Sequence, residues 1–320
     1  CVGGASILFL IFTFVFFDRS ASINTIAWIA YYLAFAVNYP HFLVSYQLLY
    51  FDFSKQSFRQ VRYFWAAVLM PLSLIAVLAY GVLSHQANIL SSIVHLMFLT
   101  VGWHYVKQIY GCVIVYSVLN KVFFSTVEKW SVRIAMYSIW FLSWINMNVS
   151  TSTNDFYGIP FTTLGLPYWM FEVSKIITAI SLASVILFMF TRKWYGKTLP
   201  PLTAIAAFGS IYAWYLPTFY HPIYFYMVPF FHSLQYLPFV AAFRKNKVQK
   251  LWLYFFIAII LGALSFWAIP TGLDRVLTYN HQVFGVSLFI CIFNLFINIH
   301  HYFIDNVLWR GDNQEMRTYL

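Results

Sequence analysis

The sequence predicts an all-α, polytopic membrane helix bundle. Three observations carry that prediction: an apolar composition, apolar runs long enough to cross a bilayer, and basic residues gathered in alternate loops. Of 320 residues, 62% are hydrophobic and 9% are charged. A soluble domain runs at roughly 45–50% and about 25%, so lipid must cover much of this surface. Aromatic residues reach 22%, more than headgroup belts alone use. Either an interior lined by rings, suited to a long apolar or conjugated ligand, or ordinary packing between helices accounts for the surplus.

Apolar runs broken by charge give about ten transmembrane helices, near residues 5–17, 22–50, 64–83, 88–119, 131–149, 169–191, 200–217, 222–243, 251–269 and 283–309. The first is short for a span, and the chain begins at Cys1 rather than Met; both are expected of a truncated N-terminus. Several others exceed the roughly 20 residues that cross a bilayer, so tilting or kinking is expected. Pro40, Pro71, Pro229 and Pro238 lie inside runs and are the expected kink points. Residues 150–168, rich in Ser, Thr, Gly and Pro, read as the longest outer loop.

The formal charge of +10 invites a nucleic-acid reading. The cations instead fall in alternate loops: Lys55, Arg59 and Arg62; Lys121, Lys129 and Arg133; Arg192, Lys193 and Lys197; Arg244, Lys245, Lys247 and Lys250; Arg310 and Arg317. That is the positive-inside pattern, which excludes nucleic acid and puts both the N and C termini in the cytoplasm. Cys1, Cys112 and Cys291 have no spacing suited to a disulfide framework or a zinc knuckle. No repeat or soluble segment divides the chain, so residues 1–320 read as one transmembrane helical domain, multi-pass in a bacterial inner membrane.

Depth follows from about 1.5 Å of rise per residue. Counted from the cytoplasmic ends of their spans, His41, His300 and His301 lie roughly 15 Å deep, His232 roughly 18 Å, and His104 up to about 24 Å. Four helices thus bring imidazoles to a similar level. His85, His221 and His281 fall at outer span ends, and His95 is on the opposite helix face from His104. Ionisable groups in lipid need each other, water or a cation, and neutral imidazole is the commonest biological metal ligand. His41, His104, His232, His300 and His301 are therefore the candidate metal ligands, with His300 and His301 undecided between them.

Their neighbours are polar at helical spacing. Asn38 precedes His41 by three residues; Lys107 and Gln108 follow His104 by three and four; Gln235 and Tyr236 follow His232 likewise. Asn294, Asn298, His301 and Asp305 form a stripe on the last span. Asn38, Gln108, Gln235 and Asn298 suit the task of orienting imidazoles, and Asp305 is a candidate partner for Lys107. Polar glue between helices is the plainer reading of the same stripes. Asp305 and Glu172 are the only carboxylates inside spans, too few for a carboxylate-rich di-metal site.

Tyr39-Pro40-His41, Trp103-His104-Tyr105, Phe231-His232-Ser233 and His300-His301-Tyr302-Phe303-Ile304-Asp305 occur in that order. In these four short stretches the chain resembles the Brp/Blh family of bacterial and archaeal membrane β-carotene dioxygenases. The resemblance implies a helical membrane enzyme whose histidines hold a non-haem Fe(II) that splits a carotenoid double bond with O2. His41, His104, His232 and His300 match its motif positions, whereas Tyr236 stands where that family has a second histidine. The reading is a histidine-ligated, non-haem iron oxygenase or related oxidoreductase, with zinc or another transition metal as the alternative ion. Its expected partners are O2, membrane lipids and an apolar small-molecule or lipid substrate; Tyr236, Lys107 and Asp305 are the candidate catalytic groups. The rivals are an integral haem protein, a transporter with a central polar site, and a metal-free lipid transferase.

Overall fold

The structure, a computed structural model, describes residues 2–16, 21–52, 60–220, 224–225, 227–245, 250–310 and 313. Cys1, His221 and the basic residues Lys55, Arg59, Lys247 and Arg317 lie outside the described residues.

Helices dominate. In chain order they are α1 (Val2–Phe16), α2 (Ala21–Gln47), α3 (Val61–Leu83), α4 (Ala87–Leu119), α5 (Thr126–Asn148) and α6 (Tyr168–Trp194). Then come α7 (Leu202–Tyr220), α8 (Met227–Arg244), α9 (Leu251–Val276), the single turn α10 (His281–Phe284) and α11 (Leu288–Leu308). Six of them, α3, α4, α6, α7, α9 and α11, are long and apolar enough to cross a membrane. The chain is thus an all-α, multi-pass membrane protein. The other four expected spans fall on α1, α2, α5 and α8, and length and composition mark six candidate spans among the described residues. The spans differ in burial: in their most apolar windows 61% of α11 is buried but only 22% of α6, which presents Ile176, Ile180, Leu187 and Phe190 outward.

Residues 150–168, read as a plain loop, contain an antiparallel hairpin of β1 (Thr153–Phe156) and β2 (Ile159–Thr162), with Thr153 opposite Thr162 and Phe156 opposite Ile159. Its two-residue turn, Tyr157-Gly158, has both φ angles positive, 50° and 88°. A tight hairpin needs that geometry, and Asn-Gly or Asp-Gly is its usual signal; tyrosine in the first position hides it.

The prolines act on the helices in two ways. Pro40, Pro217 and Pro238 are carried inside α2, α7 and α8. Pro71 and Pro270 each follow a π-helical turn, Trp65–Leu69 in α3 and Leu264–Ala268 in α9. Proline donates no N–H and crowds the carbonyl four residues back, so the helix widens just before it. The carbonyls released near Pro71 find side chains instead: Tyr50 donates to Ala67 O at 2.8 Å and His300 Nε2 to Ala66 O at 2.8 Å.

Contacts gather the chain into two compact units. The first comprises Cys1–Ala34, Gly102–Ser150 and Leu164–Tyr236. Within it α5 packs on α6 and α7, and α1 packs on α7. A capping box starts α5, with the Ser125 side chain accepting from Glu128 N and the Glu128 side chain accepting from Ser125 N. Arg192, buried at the end of α6, donates to both Glu128 oxygens at 2.8 and 2.9 Å and to the carbonyls of Phe123 and Thr198. Burial by itself would raise the Glu128 carboxyl, but the Ser125 N–H and the Arg192 guanidinium reverse this and hold it below its ordinary value.

The second unit comprises Phe35–Val101, Thr151–Thr163 and Leu237–Leu320, and in it α11 packs on α3 and α9. Asp274, near the end of α9, accepts from the first N–H groups of α11, Phe289 N at 2.8 Å and Ile290 N at 3.2 Å. A carboxylate at a helix N-terminus satisfies donors the helix cannot use itself. This fixes the start of the helix that carries His300, His301 and Asp305.

Candidate metal centre

In the first unit, His104 on α4 and His232 on α8 are 3% and 2% exposed. Their Nε2 atoms are 3.0 Å apart and their rings cross at 72°. Tyr105 lies 4.4 Å from His232 by ring centroids and Trp214 lies 6.3 Å from it, so the pair sits in an aromatic wall. Gln108, one turn after His104, donates to His232 O at 3.0 Å and to Gln235 Oε1 at 3.3 Å. That amide ties α4 to α8 at the level of the imidazoles.

In the second unit, His41 on α2 and His301 on α11 are both fully buried, with ring centroids 4.5 Å apart. Asp305, one turn after His301, brings Oδ2 to 3.5 Å from His301 Nε2. Its other oxygen accepts a 2.7 Å bond from Ser45, one turn after His41. The spacing of four on each helix puts Ser45 beneath His41 and Asp305 beneath His301.

All four residues, His104 and His232 in the first unit and His41 and His301 in the second, are buried and could hold metal. Their donor set is imidazole alone, a set that suits iron, zinc or copper and binds metal only when neutral.

His300, the neighbour of His301, points elsewhere. Its Nε2 meets Ala66 O and its Nδ1 meets Tyr46 Oη, each at 2.8 Å. A carbonyl only accepts, so the proton is on Nε2 and Tyr46 donates to Nδ1. Consecutive helical residues are about 100° apart, which is why one of the two meets His41 and the other binds the widened turn of α3.

The remaining candidates divide. Gln235 and Tyr236 are buried beside His232 on α8, and Asn38 is half-buried one turn before His41. Lys107 is exposed, with its ammonium 5.2 Å above the Trp103 ring. Asn298 is engaged along its own helix, donating to Asn294 O at 2.7 Å and accepting from Tyr302 at 3.0 Å. Glu172, expected within a span, is half-exposed near the start of α6 and pairs with Lys175 at 2.7 Å. His95 meets the hairpin carbonyl of Thr162 at 3.0 Å, while His85 and His281 are exposed.

Sequence reasoning did not single out Ser45, Tyr46 or Asp274. Ser45 had a readable signal, its spacing of four from His41. Tyr46 and Asp274 had none, because His300 and the first turn of α11 are more than a dozen residues away from them in the chain. No family model, curated protein or solved structure matches the chain.

Proposed function

We propose that the protein is a histidine-ligated, non-haem iron oxygenase or oxidoreductase of the membrane, acting on a long apolar substrate. The observation that carries this reading is that His41, His104, His232 and His301 are all buried imidazoles able to hold metal. Structural zinc is typically closed by four donors, whereas iron takes up to six, so four imidazoles leave an iron positions for O2 or substrate. An iron held there would supply O2 binding and one-electron chemistry. The ordered resemblance to the Brp/Blh carotene dioxygenases and the aromatic surplus favour a carotenoid-like or lipid substrate.

The chain's own residues have distinct parts in this reading. Asp305, held by Ser45, orients the His301 ring, as carboxylates behind metal-bound imidazoles do. Gln108 fixes the backbone of His232. Tyr105 and Trp214 exclude water beside His232, which strengthens every polar interaction made there. Tyr236 and Lys107 are assigned to the substrate side.

The test is anaerobic purification, elemental analysis, and reconstitution with Fe(II) or Zn(II), followed by assay on carotenoids and fatty-acyl lipids with and without O2. Iron-dependent, O2-dependent turnover supports the reading. Activity restored by zinc alone, or unchanged without O2, overturns the oxygenase while leaving the metal site standing. His104→Ala should lose metal and turnover together, and His95→Ala should keep both.

A further inference from the structure

Gln108 and Gln235 form a half-closed pair of amides inside the first unit. Gln108 Nε2 commits its two hydrogens to His232 O and to Gln235 Oε1. Because a main-chain carbonyl can only accept, the nitrogen of Gln108 must face it, and Gln235 must then turn its oxygen to Gln108. One acceptor, Gln108 Oε1, and one donor group, Gln235 Nε2, are left over. Both atoms are buried and neither has a hydrogen-bond partner among the described residues; Gln235 as a whole is 1% exposed. Leaving a buried amide group unsatisfied costs about 1–3 kcal/mol, and hydrocarbon offers no water in exchange. Leucine and methionine at the two positions together would fill the same space without two buried amides to satisfy.

We propose that this pair receives the polar end of the substrate, and that the polar end is an alcohol. A hydroxyl donates once to Gln108 Oε1 and accepts once from Gln235 Nε2, matching what the two amides leave over. An ether or ketone only accepts and an ammonium only donates, so each satisfies half of the pair. A carboxylate brings a charge that two neutral amides do not balance. The inference rests on the oxidative reading above for its substrate and narrows it to apolar molecules carrying a hydroxyl, bound with that hydroxyl one helical turn from His104. Water offers the same O–H chemistry, so the experiment separates the two sources.

Full-length protein in detergent, both as purified and stripped with a chelator, is titrated with 1-hexadecanol, hexadecyl methyl ether and hexadecane. The thermal midpoint and the ligand affinity are followed. The alcohol is expected to bind at least tenfold tighter than the ether or the alkane, a margin of about 1.4 kcal/mol, with or without metal. Gln235→Leu and Gln108→Met should each abolish that preference, and each should lower the midpoint of the ligand-free protein modestly because the remaining amide loses its partner. An equal response to all three ligands means that solvent water completes the pair, and it overturns the proposal. A preference that survives both substitutions overturns it too. Should either variant fail to fold, the ligand series on the native protein decides. Because binding needs neither iron nor O2, an intact alcohol preference in a protein without O2-dependent turnover would sink the oxidative reading alone.

Discussion

At the scale of single residues, the sharpest contrast is between His300 and His301. They are adjacent in sequence and equally buried, yet His301 meets the His41 ring while His300 is bound by Tyr46 and Ala66 O. His301→Ala should therefore lower the metal content of purified protein to near zero. His300→Ala should retain the metal and lose thermal stability, because it leaves Ala66 O without its donor. Metal analysis of both variants decides between them, and equal metal loss would return His300 to the candidate ligands. Asp305→Asn keeps the shape but removes the charge behind His301. Changes of that kind cost about 10–100-fold in metal affinity, measurable by competition with a chromophoric chelator. Ser45→Ala should have a smaller effect in the same direction, since it removes one bond to the carboxylate and leaves its charge.

At the scale of elements, close approach and local charge decide stability. A Cβ at Gly102, two residues before His104, would collide with the Trp140 indole. Gly102→Ala thus forces α4 and α5 apart near a candidate ligand. Overpacking of this kind typically costs about 1–3 kcal/mol; it should appear as a lowered unfolding midpoint together with weaker metal binding. The Glu128–Arg192 pair makes a pH prediction. Its carboxyl is held below its ordinary value in the folded protein, so the pair stabilises fully above the unfolded-state pKa of about 4.3. That contribution is lost as pH falls from there through the lower folded-state pKa. Thermal midpoints of native and Glu128→Gln protein should differ at neutral pH and converge in acid. A gap that stays constant down to the acid limit would show that the pair does not titrate as described.

At the scale of the whole molecule, the loop charges predict that every basic cluster faces the cytoplasm, as do both termini. Reporter fusions at Lys55, Lys121, Lys193 and Lys245 should all report the inside, and a fusion at Ser150 the outside. A single inversion among them would remove either α1, α2, α5 or α8 from the set of true spans. The class was legible in the sequence because bilayer thickness imposes a length, and lipid an apolar surface, on each crossing element separately. Such constraints act on one segment at a time, so composition and loop charge read them without knowledge of neighbours. The hairpin at residues 153–162 was hidden because its turn uses Tyr157 where a small residue is usual.

By itself, then, the sequence determined the helical membrane class and the long apolar helices, properties of length and local polarity. Tertiary structure alone decided which imidazoles meet. His104 meets His232 and His41 meets His301, and the rotation of each helix about its axis is set by packing rather than by depth. The same rotation placed Ser45 on Asp305, Asp274 on the first turn of α11, and His300 on carbonyls that Pro71 had released. Depth needs only the count of residues from a helix end; azimuth needs the partner helix, and a single segment of sequence does not contain it.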